Sequence, residues 1–86
     1  VRIVTKIDPA TGAIVGTFPV DGSNGIAFDG ANIWTTNTGG DTVIKLNAVT
    51  GATLGTYPVG TAPWGVVFDG ANIWVINSGS NNISKL

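Results

Sequence analysis

Asp8, Asp21, Asp29, Asp41 and Asp69 are the only carboxylates in this 86-residue chain, which has no Glu, His or Cys. Proton transfer near neutral pH favours a His, or a Glu of tuned pKa. A hydroxyl nucleophile needs an adjacent base, commonly His. No two of the aspartates form a close pair in sequence, and most lie in turn-like contexts. The inventory predicts no catalytic residue. Without thiolate or imidazole, a metal would have to be held by oxygen alone. Asp29-Gly30-Ala31-Asn32 and Asp69-Gly70-Ala71-Asn72 each offer one carboxylate, whereas a calcium loop gathers several oxygens from a longer spaced motif. Turn chemistry fits them better: Asp opens the turn, Gly takes positive φ, and Asn caps it. No metal and no cofactor is expected.

The remaining chemistry is aromatic and amide. Trp34 and Trp74 recur inside apolar runs with Phe28 and Phe68 beside them, which predicts packing between layers. Trp64 does not recur. The matching stretch of the first repeat, Ser23-Asn24-Gly25, is one residue shorter and has no Trp. Trp64 is therefore the candidate for stacking on a sugar or peptide, with packing as the competing reading. Asp21 and Asn24 fall in the equivalent loop and could supply hydrogen bonds. Asn37 and Asn77 precede Thr-Gly and Ser-Gly, and are expected to satisfy backbone groups of their turns. Asn82-Ile83-Ser84 fits the N-glycosylation pattern but lies in a predicted strand.

The elements that must position these residues follow from a repeat. Phe28 to Trp34 returns unchanged as Phe68 to Trp74, an offset of 40 residues, and Lys45-Leu46 returns as Lys85-Leu86. Thr11-Gly12-Ala13 and Gly16-Thr17-Phe18-Pro19-Val20 correspond to Thr50-Gly51-Ala52 and Gly55-Thr56-Tyr57-Pro58-Val59. Each unit reads as four short strands. Pro63 to Phe68 is an apolar run, Asp69-Gly70 marks a hairpin, Asn72 to Ile76 is the next strand, and Asn82 to Leu86 alternates. The fourth strand carries Gly55 and Pro58, as the earlier one carries Gly16 and Pro19, which places it at a sheet edge. The first two strands are apolar on both sides and are expected to be buried on both faces. A period of this length with four strands per unit predicts an all-β fold of β-propeller blades, each a four-stranded antiparallel meander of about 40 residues.

Pro-x-Gly-Val-x-Phe-Asp-Gly, followed by Ile-Trp-Val-x-Asn-Ser-Gly-Ser-Asn, resembles the blade of bacterial YVTN-type and streptogramin-lyase-like β-propellers, over nearly the whole chain. The resemblance implies that the Pro-x-Gly strand is innermost. It would also imply lyase chemistry, but the His expected of such an active site is absent from this chain. With strands named a to d from the centre outward, residues 1–23 read as the c and d strands of a shared blade, 24–60 as a full blade, and 61–86 as the a, b and c strands of the shared blade. Such units cannot bury their faces alone, and stability usually needs three or more.

Two blades per chain are then completed by oligomerisation, or the chain is part of a larger propeller. Closure of identical chains gives a trimer of six blades or a tetramer of eight; a rotation that does not close gives a filament. Net charge is −1 and the four cations are scattered, which argues against nucleic acid as a partner. The apolar runs are too short to span a bilayer. Only 10% of residues are charged, against roughly 25% in average soluble domains. A surface of Thr, Asn and Gly suggests an extracellular or cell-surface setting. Val1 is not an initiator methionine, which leaves room for an upstream targeting segment. Three functions remain in order of expectation: a self-assembling structural propeller module, a carbohydrate- or peptide-binding (lectin-like) module, and an enzyme.

Overall fold

The computed structural model describes residues 2–20 and 22–86. Val1 and Asp21 lie outside them, so the expectation for Asp21 has no counterpart below. Nine strands form among the described residues: β1 (Arg2–Ile7), β2 (Ile14–Val20), β3 (Ser23–Phe28), β4 (Asn32–Asn37), β5 (Thr42–Asn47), β6 (Thr53–Pro58), β7 (Pro63–Phe68), β8 (Ile73–Asn77) and β9 (Asn82–Lys85). Every pairing is antiparallel and joins chain neighbours. The sheets are β1-β2, β3-β4-β5-β6 and β7-β8-β9. The architecture is all-β, with the meander sheets from which propeller blades are made.

Local chemistry sets the turns. Between β3 and β4, Gly30 has φ +95°, and between β7 and β8, Gly70 has φ +101°. This backbone region strains any residue with a Cβ. Both turns are tied by the preceding aspartate. Asp29 Oδ1 accepts the N–H groups of Ala31 and Asn32 at 2.9 and 2.6 Å; Asp69 Oδ1 accepts those of Ala71 and Asn72 at 2.8 and 2.7 Å. Pro19 and Pro58 fall in β2 and β6, the outermost strands of their sheets, where a missing N–H costs no ladder bond.

The core lies between sheets. Val20, Ile44 and Leu46, with Val4 and Ile33 against them, join the first sheet to the central one. Trp34, Val43, Val66, Ile73 and Val75, with Ala27, Val59 and Phe68, join the central sheet to the third. Period-two alternation explains how one sheet serves both: Ile33, Ile44 and Leu46 point one way, Trp34 and Val43 the other.

One expectation needs correction. The sequence reading buries both faces of the first two strands in each unit. In the third sheet only one face is covered: Ile73 and Val75 are buried, whereas Val67 and Ile76 are exposed and Trp74 is half-buried. Phe28 is also exposed on the opposite side of the central sheet, while its repeat counterpart Phe68 packs on the core. The physical reason is positional: Val67 and Ile76 face away from the central sheet, while Phe28 faces the side of the first sheet, whose two strands leave it uncovered.

Candidate functional site

The two repeated tryptophans, Trp34 and Trp74, are held by the aspartates that cap the turns before them. Trp34 Nε1 donates to Asp29 Oδ2 at 2.8 Å, and Trp74 Nε1 donates to Asp69 Oδ2 at 2.6 Å. On the adjacent strand, Lys45 Nζ stands 5.5 Å from the Trp34 ring centroid and Lys85 Nζ 5.1 Å from that of Trp74. A cation over the indole face at this range is attracted by the ring quadrupole. The same bonds set the acidity of the carboxylates. The Trp34 indole, then the Asn32 amide, hold Asp29 below the ordinary carboxylate value. The Asn72 amide first, then the Trp74 indole and the Ala71 amide, bring Asp69 down to about 2. Such carboxylates are held as anions at neutral pH. They serve as structural acceptors, and an aspartate so placed is a poor proton donor.

A second polar constellation lies where β3 and β4 meet β7. Asn24 Nδ2 donates to Thr38 Oγ1 and, at 3.4 Å, to the Gly22 carbonyl. Thr38 Oγ1 donates to the Pro63 carbonyl at 2.7 Å. Thr36 Oγ1 accepts the Gly25 N–H at 3.0 Å and donates to the Trp64 carbonyl at 2.9 Å. Asp41 Oδ1 accepts the Ala62 N–H at 2.9 Å. A Cβ at Gly25 would run into the Trp64 carbonyl, so glycine permits this approach of the two sheets. Thr36 is fully buried, and both its donor and acceptor capacities are used. These bonds clasp the central sheet to the third.

Of the three candidate ligand contacts, Trp64 and Asn24 fall within the described residues, in β7 and β3. The Trp64 side chain is exposed while its backbone is engaged in the clasp. Asn24 is committed to Thr38, and Asp21 lies outside the described residues. Thr36 and Thr38 are the residues that sequence reasoning missed. Their signal was the place where the repeats diverge, because their counterparts are Ile76 and Ser78. Asn37 Oδ1 accepts the Gly40 N–H of its own turn at 3.1 Å, with Gly22 close against the same side chain. Asn77 reaches further. It is fully buried, accepts the Gly60 N–H at 3.1 Å, and donates through Nδ2 to Asn82 Oδ1 and Ser84 Oγ at 3.1 and 2.9 Å. Among the described residues, no three of His, Cys, Asp or Glu gather where a metal could be held.

The open space is elsewhere. A cavity of about 300 Å³ lies between the first and central sheets, with Val4, Phe18, Ile26, Phe28, Ile33 and Leu46 in its walls. Its lining is mainly aliphatic and aromatic, and it has one cationic wall residue, Lys6. Such a lining suits apolar side chains and offers few groups to orient a polar ligand.

Compared with known proteins, the chain matches no family profile and no curated sequence. Among solved structures it is similar to Kuenenia stuttgartiensis hydrazine synthase, a protein that contains a β-propeller. Identity is 28% and the TM-score 0.68, over 76% of this chain and 20% of that one. The chain thus spans about a fifth of the length of this structural neighbour. The likeness accords with the blade-like sheets.

Proposed function

We propose that this chain is a non-catalytic, self-assembling β-propeller repeat module of YVTN type, whose copies stack blade on blade into a closed ring or a filament, in an extracellular or cell-surface setting. One observation carries the reading: the two open faces are the two halves of an interface that the chain already makes inside itself. Thr36 is fully buried against the third sheet, while its repeat counterpart Ile76 is 54% exposed. On the other side, Leu46 is 2% exposed and its counterpart Ile7 54%; Val66 is 7% exposed and its counterpart Ile26 54%. The front of the third sheet and the back of the first two thus carry residues equivalent to ones that bury each other within the chain. Burying them releases on the order of 25 cal/mol per Å² of apolar surface. Because the two faces differ, the contact is head-to-tail, which closes into a ring or runs on as a fibre. The absence of His and Glu supports a non-catalytic role. Electron microscopy of the purified chain tests the proposal. Particles with six or eight blades, or fibres of stacked blades, are expected; a field of particles no larger than two blades would sink it.

A second reading, a lectin-like or peptide-binding module, draws support from the exposed indole of Trp64 in β7. Binding to a glycan or peptide panel that is lost in Trp64→Ala would support it, and silence across such panels would remove it.

A further inference from the structure

We infer that β8 of one copy docks on a second copy, seating Trp74 and Ile76 against Ile26, Phe28 and Ile33, and that β8 pairs there with β1 of the second copy in place of its own β9. This inference rests on the self-assembly proposed above and specifies the contact.

The argument starts from the interface inside the chain. There, Trp34 belongs to the cluster that includes Val66, Ile73 and Val75, with Phe68 against it. The repeat counterparts of Val66, Phe68 and Ile73 are Ile26, Phe28 and Ile33. These three line the 300 Å³ cavity, and the counterpart of Trp34 is Trp74. The cavity is thus the seat that Trp74 of another copy would take. It is also continuous with packing already in place, because Val4 and Leu46, which line it, belong to the cluster between the first and central sheets. An incoming β7-β8 pair would complete a half-built interface.

The side chains discriminate between the inner and outer junctions. Within the chain, Thr36 at the junction donates to the Trp64 carbonyl. At the docking face its counterpart is Ile76, and the counterpart of Val66 is Ile26, each 54% exposed. A hydroxyl-to-carbonyl clasp in one junction and an aliphatic pair in the other favour strict alternation of the two, since a misplaced Thr36 would lose its acceptor.

Two strands compete for the place beside β8. β9 already pairs with β8, matching Trp74 with Lys85 and Ile76 with Ile83. β1 occupies the equivalent place on the receiving copy, where it packs Val4 on the core and donates from Lys6 Nζ to the Ala48 carbonyl at 3.0 Å. β9 has four residues against six in β1, and Ile83 buries little. β9 is therefore the strand displaced. β8 exchanges one antiparallel neighbour for another, with ladder bonds conserved. The register that β4 keeps with β5, Thr36 opposite Val43 and Trp34 opposite Lys45, then sets Ile76 opposite Val4 and Trp74 opposite Lys6 of the second copy.

Cysteine pairing tests this directly, because the chain has no cysteine of its own. An Ile76→Cys chain is mixed with a Val4→Cys chain and oxidised, and the products are separated without reductant. A disulfide-linked heterodimer is expected from the mixture. As the competing arrangement, an Ile83→Cys chain is mixed with a Phe18→Cys chain, which would link if β9 stayed and β1 left. Assembly with crosslinking of the second pair alone, or of neither pair, overturns the inference and leaves the self-assembly reading standing. A wild-type chain that stays monomeric overturns both. As a measurement independent of thiols, Ile76→Asp is expected to leave a folded monomer by circular dichroism; full-size assemblies of that variant would count against the seat.

Discussion

The Asp69 carboxylate accepts the Trp74 indole N–H at 2.6 Å while its other oxygen caps the turn that leads into the same strand. Asp29 does the same for Trp34. One aspartate thereby fixes a hairpin and the orientation of the largest side chain in the stacking face. Within the unchanged heptapeptide from Phe to Trp, replacing the aspartate would cost both the turn bonds and the aim of the ring.

Acid should loosen these anchors. Asp69 is depressed to about 2, below the value of about 3.9 usual in an unfolded chain. A depressed pKa contributes stability that is full above the unfolded value and is lost as pH falls through the folded one. Melting midpoints are expected to hold down to about pH 4 and then fall toward pH 2. The Asp29→Asn, Asp69→Asn double variant should show a flatter profile over that window. An equally steep fall in the double variant would remove the aspartates from the account.

Thr35 offers a gain. It is fully buried, and its Oγ1 has no hydrogen-bond partner among the described residues. Its repeat counterpart is Val75, also fully buried. An unsatisfied buried hydroxyl costs about 1–3 kcal/mol. Thr35→Val should therefore raise the unfolding free energy by about 1 kcal/mol in urea titration. A loss would mean that the hydroxyl has a partner.

Trp34 and Trp74 share a sequence context and differ in cover. Trp34 is buried, in contact range of Tyr57 at 5.5 Å between centroids. Trp34→Ala is expected to cost about 3–5 kcal/mol, the usual loss for a core aromatic. Trp74→Ala should cost clearly less at dilutions where copies separate, and approach the same loss when they associate. Equal costs at all concentrations would contradict the difference in cover.

Ala62 has φ +51°, a left-handed conformation that costs an L-residue about 1–2 kcal/mol. Its N–H and carbonyl both serve the loop, bonding Asp41 and Ser78. Ala62→Gly keeps those bonds and removes the strain, offset by extra freedom in the unfolded chain. A net gain of about 0.5 kcal/mol is expected in the same titration, and a loss would show that the methyl group packs usefully.

Much of this was legible in the residues. The repeat placed β4 and β8 on equivalent footing, Asp-Gly marked the hairpins, and Pro58 marked the outer strand. The cover of each face was not legible, because Trp34 and Trp74 are identical locally and differ only in what lies across from them. Nor was the fate of Asn24. The sequence placed it in a loop as a hydrogen-bond donor to a ligand, yet it lies in β3 and Thr38, fourteen residues on in the chain, takes its hydrogen bond. Contacts between sheets are set by distance in space, and a single sequence carries them only through repeat differences such as Thr36 against Ile76.

The mass of the particle in solution tests the central claim most directly. Light scattering on the purified wild-type chain at micromolar concentration should report three or four times 8.7 kDa, or a broad distribution of larger fibres. A stable, folded particle of 8.7 kDa would contradict it.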